Sequence, residues 1–160
     1  KHDNILLYAK DQNNYVFNYD TLDRIPYMAP KLVGPEKAAI GKTPTDVWFD
    51  HQLSTSNYDS NVWWHTIVSP TGKEKIGYPT QKPLGILKRI IATSSNIGDT
   101  VLDFFAGSGT TGVAAYELGR NFVLIDQNLE SIKVIQKRLL GCPITYIGCD
   151  VENHDAKDNN

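Results

Sequence analysis

The stretch Asp103–Gly112, which reads DFFAGSGTTG, combines residue types and spacings that could bind a cofactor. Gly107, Gly109 and Gly112 have the spacing G-x-G-x-x-G that lets a backbone turn tightly and approach a ligand closely. Asp126 follows at about the separation at which such folds place the acid that binds a ribose. The pattern therefore predicts a loop that binds a nucleoside-containing cofactor.

Asp103 is the residue that favours one of two classes of cofactor over the other. A dinucleotide would place its pyrophosphate over this loop, where the carboxylate of Asp103 would repel it. S-adenosylmethionine instead presents an ammonium and a sulfonium, which a carboxylate attracts and to which Phe105 could offer an aromatic surface. Asp126 could accept hydrogen bonds from the ribose hydroxyls of either cofactor.

The charge argument favours S-adenosylmethionine, and two alternatives stay open. One is a dinucleotide such as NAD, and the other is a purely structural role in which the glycines only allow a helix to pack closely on a strand. A P-loop that cradles phosphates is excluded, because no G-K-[ST] follows the glycines.

The sequence around the loop predicts helices that alternate with strands. One helix is expected to be capped by Thr80 and Gln81, to hold Pro83 in its first turn and to break at Ser94. Short apolar runs bounded by turn-forming residues predict strands at 4–9, 100–105, 121–125 and 144–147 and helices at 110–118 and 129–140. This order predicts an α/β fold of the Rossmann-like type, with a parallel central sheet and a ligand at the carboxyl ends of the strands.

Composition places limits on the function. The 160 residues suit one globular domain, and no apolar run approaches the roughly 20 residues that would span a membrane. A net charge of −2 argues against a protein that simply coats nucleic acid, although five of the six charged residues between Lys73 and Arg89 are basic and could form a local basic edge. Cys142 and Cys149 lack metal-ligand spacing, so we expect free thiols in a reducing cytoplasm and no metal.

The composition and regularity of the sequence change near Gly77. The preceding part is irregular and aromatic, contains all three tryptophans, and predicts an insertion rather than regular layers. The chain begins at Lys1 rather than at a methionine and lacks the zones of a secretory signal, so we interpret the start as a cut.

The run Tyr78-Pro79-Thr80-Gln81-Lys82-Pro83, followed by a helix and then by Asp103–Thr111, resembles the cofactor region of DNA amino-methyltransferases. Lys1–Lys10 resembles, more weakly, the strand that follows the catalytic motif in the β-class of these enzymes. The resemblance implies four parts: a strand of the catalytic subdomain at 1–10, a target-recognition insertion at 11–76, an S-adenosylmethionine-binding subdomain at 77–150, and a polar tail at 151–160.

The resemblance also implies roles for individual residues. Asp126 would bind the ribose hydroxyls, Gln127 or Asn128 would lie near the adenine ring, and Asp103 would neighbour the methionine end of the cofactor. Other residues assigned to the methionine end are Phe105, Gly107, Ser108, Gly109, Thr110 and Thr111. The segment before the first long helix would close the site through Thr80, Lys82 and Pro83, with Lys82 near the carboxylate of the cofactor.

One motif of the family is missing from this sequence. The catalytic tetrapeptide Asp/Asn/Ser-Pro-Pro-aromatic does not occur, and the nearest string, Arg24-Ile25-Pro26-Tyr27, lacks both the polar residue and the second proline. In the β-class order the motif would precede Lys1. We therefore assign no catalytic residue and expect the chain by itself to transfer nothing.

The resemblance implies methyl transfer from S-adenosylmethionine to the exocyclic amino group of adenine, in preference to cytosine, in double-stranded DNA. The target base would have to flip out of the duplex. Lys73, Lys75, Trp63 and Trp64 are the candidates for DNA contact. A cognate restriction endonuclease is the expected partner, and a homodimer stays open. The alternatives are an NAD-dependent oxidoreductase and a noncatalytic methyltransferase-like subunit that binds DNA.

Overall fold

A computed structural model describes residues 4–22, 24–44, 68 and 73–149 of the chain. The regular elements are, in chain order, two short 3-10 helices at Tyr19–Thr21 and Pro30–Leu32, α1 (Pro35–Ile40), α2 (Leu84–Ser94), β1 (Thr100–Asp103), α3 (Thr110–Glu117), β2 (Asn121–Leu124) and α4 (Leu129–Arg138). The long helices and the sheet thus lie in the second half of the chain.

The sheet of the described residues consists of β1 and β2, which pair in parallel. Thr100 lies opposite Asn121 and Asp103 lies opposite Leu124, so the carboxyl ends of both strands meet at one edge. The helix α3 connects the two strands, because a parallel pair needs a long crossover rather than a hairpin. The predicted α/β class and the predicted parallel arrangement are confirmed.

Glycines end the helices where the sequence predicts. Gly119 has φ +72° just beyond α3, and Gly141 has φ +88° just beyond α4. These left-handed backbone conformations are favourable for glycine, which has no Cβ, and they stop a helix. The predicted helices at 110–118 and 129–140 and the strands at 100–105 and 121–125 therefore appear close to their expected bounds.

The beginning of α2 differs from the prediction. The helix starts at Leu84, and Pro83 occupies the N-cap position instead of the first turn. The amide of Leu84 donates to Oε1 of Glu74 at 2.6 Å, so a carboxylate ten residues upstream satisfies the helix end. Thr80 and Gln81 do not cap the helix, because a more distant side chain does so.

The core lies on one face of the sheet and has two clusters. Ile91 of α2 packs with Ala114 and Ala115 of α3 in the first cluster. The second cluster contains Ala106, Ile135 and Leu139, and Phe122 of β2 packs against both. The small residues of α3 let that helix lie close to α2 and to the sheet.

Two predicted strands do not form. Residues 4–9 and 144–147 carry no strand pairing, and Leu6 and Leu7 are largely exposed. A strand needs a hydrogen-bonded neighbour, and in the described part of the chain the β1–β2 pair and a single antiparallel bridge between Ile25 and Lys42 account for the strand pairing. An apolar run of strand length is therefore not sufficient to predict a strand.

The C-terminal end of α2 is held by side chains from both sides of the sequence. The Nδ2 group of Asn18 donates to the carbonyls of Ser95 at 2.8 Å and Ala92 at 3.1 Å. The Nη2 group of Arg120 donates to the same Ser95 carbonyl at 2.7 Å. These bonds satisfy carbonyls that a helix end leaves without partners.

Across the described ranges, no helix is both long and apolar enough to cross a membrane. The same ranges contain no group of three His, Cys, Asp or Glu side chains placed to hold a metal ion. Cys142 and Cys149 are free thiols, and burial raises the pKa of the Cys142 thiol.

Candidate functional site

The glycine loop connects β1 to α3, and its conformation explains the glycine spacing. Gly107 and Gly109 have φ +51° and +73°, which is the left-handed region that glycine tolerates. A Cβ on Gly109 would lie 2.8 Å from Cγ1 of Ile135, and one on Gly112 would lie 2.6 Å from Cδ1 of Leu124. Gly109 and Gly112 thus allow close packing of helices and strand, as the structural alternative expected, whereas Gly107 has more room.

Asp103 braces the loop from the end of β1. Its Oδ1 accepts from the amide of Phe105 at 2.9 Å, and its Oδ2 accepts from the hydroxyl of Thr111 at 2.6 Å. An ionised carboxylate offers about four lone-pair positions. The half-buried carboxylate therefore holds the loop and can still accept bonds from a ligand.

Asp126 reaches the same loop from the end of β2. Its Oδ2 accepts from the amide of Gly107 at 2.8 Å, and its Oδ1 accepts from the amide of Asn128 at 2.8 Å. The parallel sheet therefore brings both strand-end acids, Asp103 and Asp126, to one edge beside the glycines. This juxtaposition was expected from the sequence.

The residues assigned to the methionine end divide into two groups. The side chain of Phe105 is 90% exposed, and Gly107, two residues further along the same loop, is half-buried. Ser108 and Thr110 are each only 4% exposed, and Thr111 bonds Asp103, so these hydroxyls face the protein interior. The hydroxyls therefore hold the loop from behind.

The segment before α2 approaches the loop. The hydroxyl of Thr110 donates to the carbonyl of Lys82 at 3.2 Å, Pro83 is buried, and the side chains of Thr80 and Lys82 are exposed. A cavity of about 480 Å³ opens between this segment and the start of α4. Its lining residues are Ile76, Gly77, Tyr78, Pro79, Thr80, Asn128, Glu130 and Val134.

Of the two residues assigned to the adenine ring, Asn128 is a lining residue of this cavity. Its Oδ1 accepts from the amide of Glu130 at 3.0 Å, so its side chain also caps α4. Gln127 is exposed between Asp126 and this cap. An asparagine directly before a predicted helix is a signal for such a cap, so the sequence contained this information although we assigned Asn128 only to the adenine ring.

The structure adds residues that sequence reasoning missed. The Tyr78 hydroxyl and the Oγ of fully buried Ser131 form a hydrogen bond of 2.7 Å, and the Tyr78 ring lies 3.4 Å from the position of a Cβ on Gly107. Arg138 at the end of α4 donates to Thr110 Oγ1 at 2.8 Å. Tyr78 stands in the recognisable hexapeptide, but Ser131 and Arg138 carry no signal beyond their place in an amphipathic helix.

The predicted basic edge is only partly present. The charge of the partly exposed Lys88 is paired with Glu117, and Arg89 is buried, so the edge has less free positive charge than predicted. Lys73 and Lys75 are exposed. The DNA-contact candidates Trp63 and Trp64 lie outside the described residues.

Two carboxylates and an exposed aromatic ring beside a glycine loop suit a nucleoside cofactor that carries positive charge. The β1-α3-β2 unit with this loop is typical of the class of α/β proteins that bind nucleoside cofactors at the carboxyl ends of their strands. Comparison with known proteins specifies the class further. A family model described as DNA methylase matches residues 1–137, and the chain belongs to this DNA methylase family. The resemblance found in the sequence is thereby confirmed.

Individual relatives agree with the family. DNA adenine methyltransferase YhdJ of Escherichia coli (strain K12) is 42% identical over 137 residues, which are 84% of this chain and 43% of that protein. Type II methyltransferase M.HpaI of Haemophilus parainfluenzae is 34% identical over 139 residues, 87% of this chain and 38% of that protein. A crystal structure of the M1.HpyAVI-SAM complex aligns with 37% identity and a TM-score of 0.44, over 61% of this chain and 47% of that one. The chain spans less than half the length of these relatives.

Proposed function

We propose that this chain is the S-adenosylmethionine-binding part of a DNA methyltransferase that methylates the exocyclic amino group of adenine. The observation that carries the proposal is the bond between Asp126 and the amide of Gly107, because it places an acid directly beside the glycine loop. Membership of the DNA methylase family supports a methyl donor over NAD. The relative named DNA adenine methyltransferase favours adenine over cytosine as the target.

The residues present fit this cofactor. Asp126 keeps acceptor positions for ribose hydroxyls, and the negative charge of Asp103 and Asp126 favours a cationic ligand. We assign the exposed Phe105 and the half-buried Gly107 to the methionine end, and the exposed Lys82 to the carboxylate of the cofactor. S-adenosylmethionine supplies an electrophilic methyl group on a sulfonium.

The other residues assigned to the site support the residues that would contact the cofactor. Ser108, Thr110 and Thr111 hold the loop from the interior, while Gly109 fixes its turn. Gln127 or Asn128 is assigned to the adenine ring, and Thr80 is assigned to closing the site from the segment before α2. Thr80 and Asn128 line the same cavity, which supports placing them at one site. In this proposal residues 77–150 form the cofactor-binding subdomain.

The proposed substrate is double-stranded DNA. An amino group inside a duplex cannot meet a bound methyl donor, so the target base has to leave the stack, at an unstacking cost of a few kcal/mol. Lys73 and Lys75 are exposed and available for phosphate contact, and Trp63 and Trp64 are assigned to the same interface. Relatives named Type II methyltransferases suggest a restriction endonuclease as the biological partner.

Isothermal titration calorimetry on the chain tests the cofactor assignment. We expect S-adenosylmethionine and its demethylated product to bind and NAD not to bind. Asp126→Ala should weaken binding by about 1–3 kcal/mol, or roughly 5- to 150-fold, because it removes a partly buried acceptor. Asp99→Ala is the matched control, since Asp99 also accepts a backbone amide, from Asn96 at 2.7 Å, but precedes β1 at the opposite end of the strand.

Failure of the wild type to bind S-adenosylmethionine would contradict the proposal. Binding of NAD in place of S-adenosylmethionine would return the chain to the oxidoreductase alternative. Equal affinity of the wild type and Asp126→Ala would remove that carboxylate from the site. Loss of binding in both Asp126→Ala and Asp99→Ala would show that the loss reports general destabilisation.

A further inference from the structure

Arg138 makes a set of contacts that the proposed function does not explain. It stands in the last turn of α4, and its Nη1 donates to the carbonyl of Ser108 at 3.1 Å, to Thr110 Oγ1 at 2.8 Å and, at a longer 3.4 Å, to Ser108 Oγ. A single guanidinium thus contacts the residues on both sides of Gly109. The helix that follows β2 is thereby attached to the loop that follows β1.

The chemistry of the groups gives these bonds a direction. A guanidinium can only donate, so the Thr110 hydroxyl accepts from Arg138 and uses its own hydrogen to bond the carbonyl of Lys82 at 3.2 Å. The Ser108 hydroxyl lies 3.0 Å from the same oxygen and fills its second acceptor position. A continuous line of hydrogen bonds therefore runs from α4 through the loop to the segment before α2.

Water cannot easily replace this line of bonds. The Ser108 and Thr110 side chains are almost fully buried, and Arg138 is half-buried. This partial burial withdraws the cation from solvent and lowers the pKa of the Arg138 guanidinium. A withdrawn cation depends on its hydrogen-bond partners, and those partners in turn would lose a strong donor without it.

We propose that Arg138 is a positioning residue that fixes the glycine loop and the Lys82 segment in the arrangement that binds the cofactor. The inference rests on the proposed function, because the loop and Lys82 are the parts assigned to S-adenosylmethionine. Arg138 faces the interior side of the loop through Ser108 and Thr110, so it acts through the loop and not by touching the ligand.

Two substitutions and one control test the role of Arg138. Arg138→Met removes the donor, Arg138→Lys keeps the charge but loses the planar fork, and Lys137→Met removes an exposed charge from the same turn. Each variant is studied as the whole chain, at a temperature where unfolding curves show that it is folded. The two measurements are hydrogen exchange of peptides that cover 106–111 and the dissociation constant for S-adenosylmethionine from calorimetry.

We expect Arg138→Met to exchange at least about tenfold faster in 106–111 and to bind S-adenosylmethionine at least about tenfold more weakly. Arg138→Lys should lie between Arg138→Met and the wild type, and Lys137→Met should match the wild type. Exchange in β2 should not change. If Arg138→Met does not fold, the same two measurements are made on Thr110→Val. This substitution removes the hydroxyl that links Arg138 to Lys82, but it keeps the charge of Arg138 and nearly all the side-chain volume at position 110.

Unchanged affinity in Arg138→Met would overturn the proposal, whether or not exchange changes. A uniform rise of exchange throughout the chain would also overturn it, since Arg138 would then only stabilise the fold. Failure of the wild type to bind S-adenosylmethionine would refute the proposed function instead. In that case the exchange data still decide separately whether Arg138 holds the loop.

Discussion

Gly109 allows a quantitative test of the loop geometry. Its φ of +73° would cost an L-residue about 1–2 kcal/mol. An added Cβ would also lie 2.8 Å from Cγ1 of Ile135, which is only 3% exposed and has little space to move, and such overpacking costs about 1–3 kcal/mol. We therefore expect Gly109→Ala to lower the free energy of unfolding by about 2–5 kcal/mol.

Gly107→Ala is the matched control. Gly107 also has a left-handed backbone, with φ +51°, but the nearest atom to its added Cβ is Cε1 of Tyr78 at 3.4 Å, an ordinary contact. Gly107→Ala has only the cost of the left-handed backbone, so we expect it to lower the free energy of unfolding by about 1–2 kcal/mol. The difference between the two variants isolates the contact with Ile135.

Urea unfolding followed by circular dichroism, with linear extrapolation to water, measures both losses. A double-mutant cycle sharpens the test: Ile135→Ala alone should cost about 2–5 kcal/mol, but in the Gly109→Ala background it should cost about 1–3 kcal/mol less, because it removes the clashing atom. Equal losses for Gly107→Ala and Gly109→Ala, or strict additivity in the cycle, would refute this account of the loop.

Two further predictions concern side chains near the site. Tyr78→Phe should lower the free energy of unfolding by about 1–3 kcal/mol in urea, because buried Ser131 loses its partner, and adding Ser131→Ala should recover part of the loss. Alkylation of Cys142, followed by mass spectrometry across a pH series, should rise only above the ordinary thiol value of about 8.5, because burial raises its pKa and the thiolate is the reactive form. A rate for Cys142 equal to that of free cysteine at pH 8 would contradict this prediction.

Local patterns in the sequence predicted much of the fold and placed Asp103 and Asp126 at the ends of neighbouring strands. Gly107, Gly109, Gly119 and Gly141 have the left-handed backbone that their turns need, whatever residues surround them. The helices and strands between these glycines therefore lie close to their predicted bounds. The meeting of Asp103 and Asp126 followed from one rule, namely that parallel strands end at the same edge. Such features depend on residues that are close in the sequence and on the parallel order of two strands.

The features that the sequence did not reveal depend on distant partners. The apolar runs at 4–9 and 144–147 lack strand pairing, because pairing is decided by which backbone lies alongside. The inward direction of the Thr110 hydroxyl depends on Arg138, and the start of α2 depends on Glu74. No local pattern around Thr110 or Leu84 contains this information.

The two ends of α2 are attached to different parts of the chain. The side chain of Asn18 donates to the C-terminal end of α2. The opposite end of α2 begins next to Lys82, whose carbonyl accepts a hydrogen bond from Thr110 of the loop. The 11 residues of α2 form a stiff rod about 16 Å long. The loss of the Asn18 side chain would therefore loosen the end of α2 that lies farthest from Lys82 and leave the hydrogen bond between Lys82 and Thr110 in place.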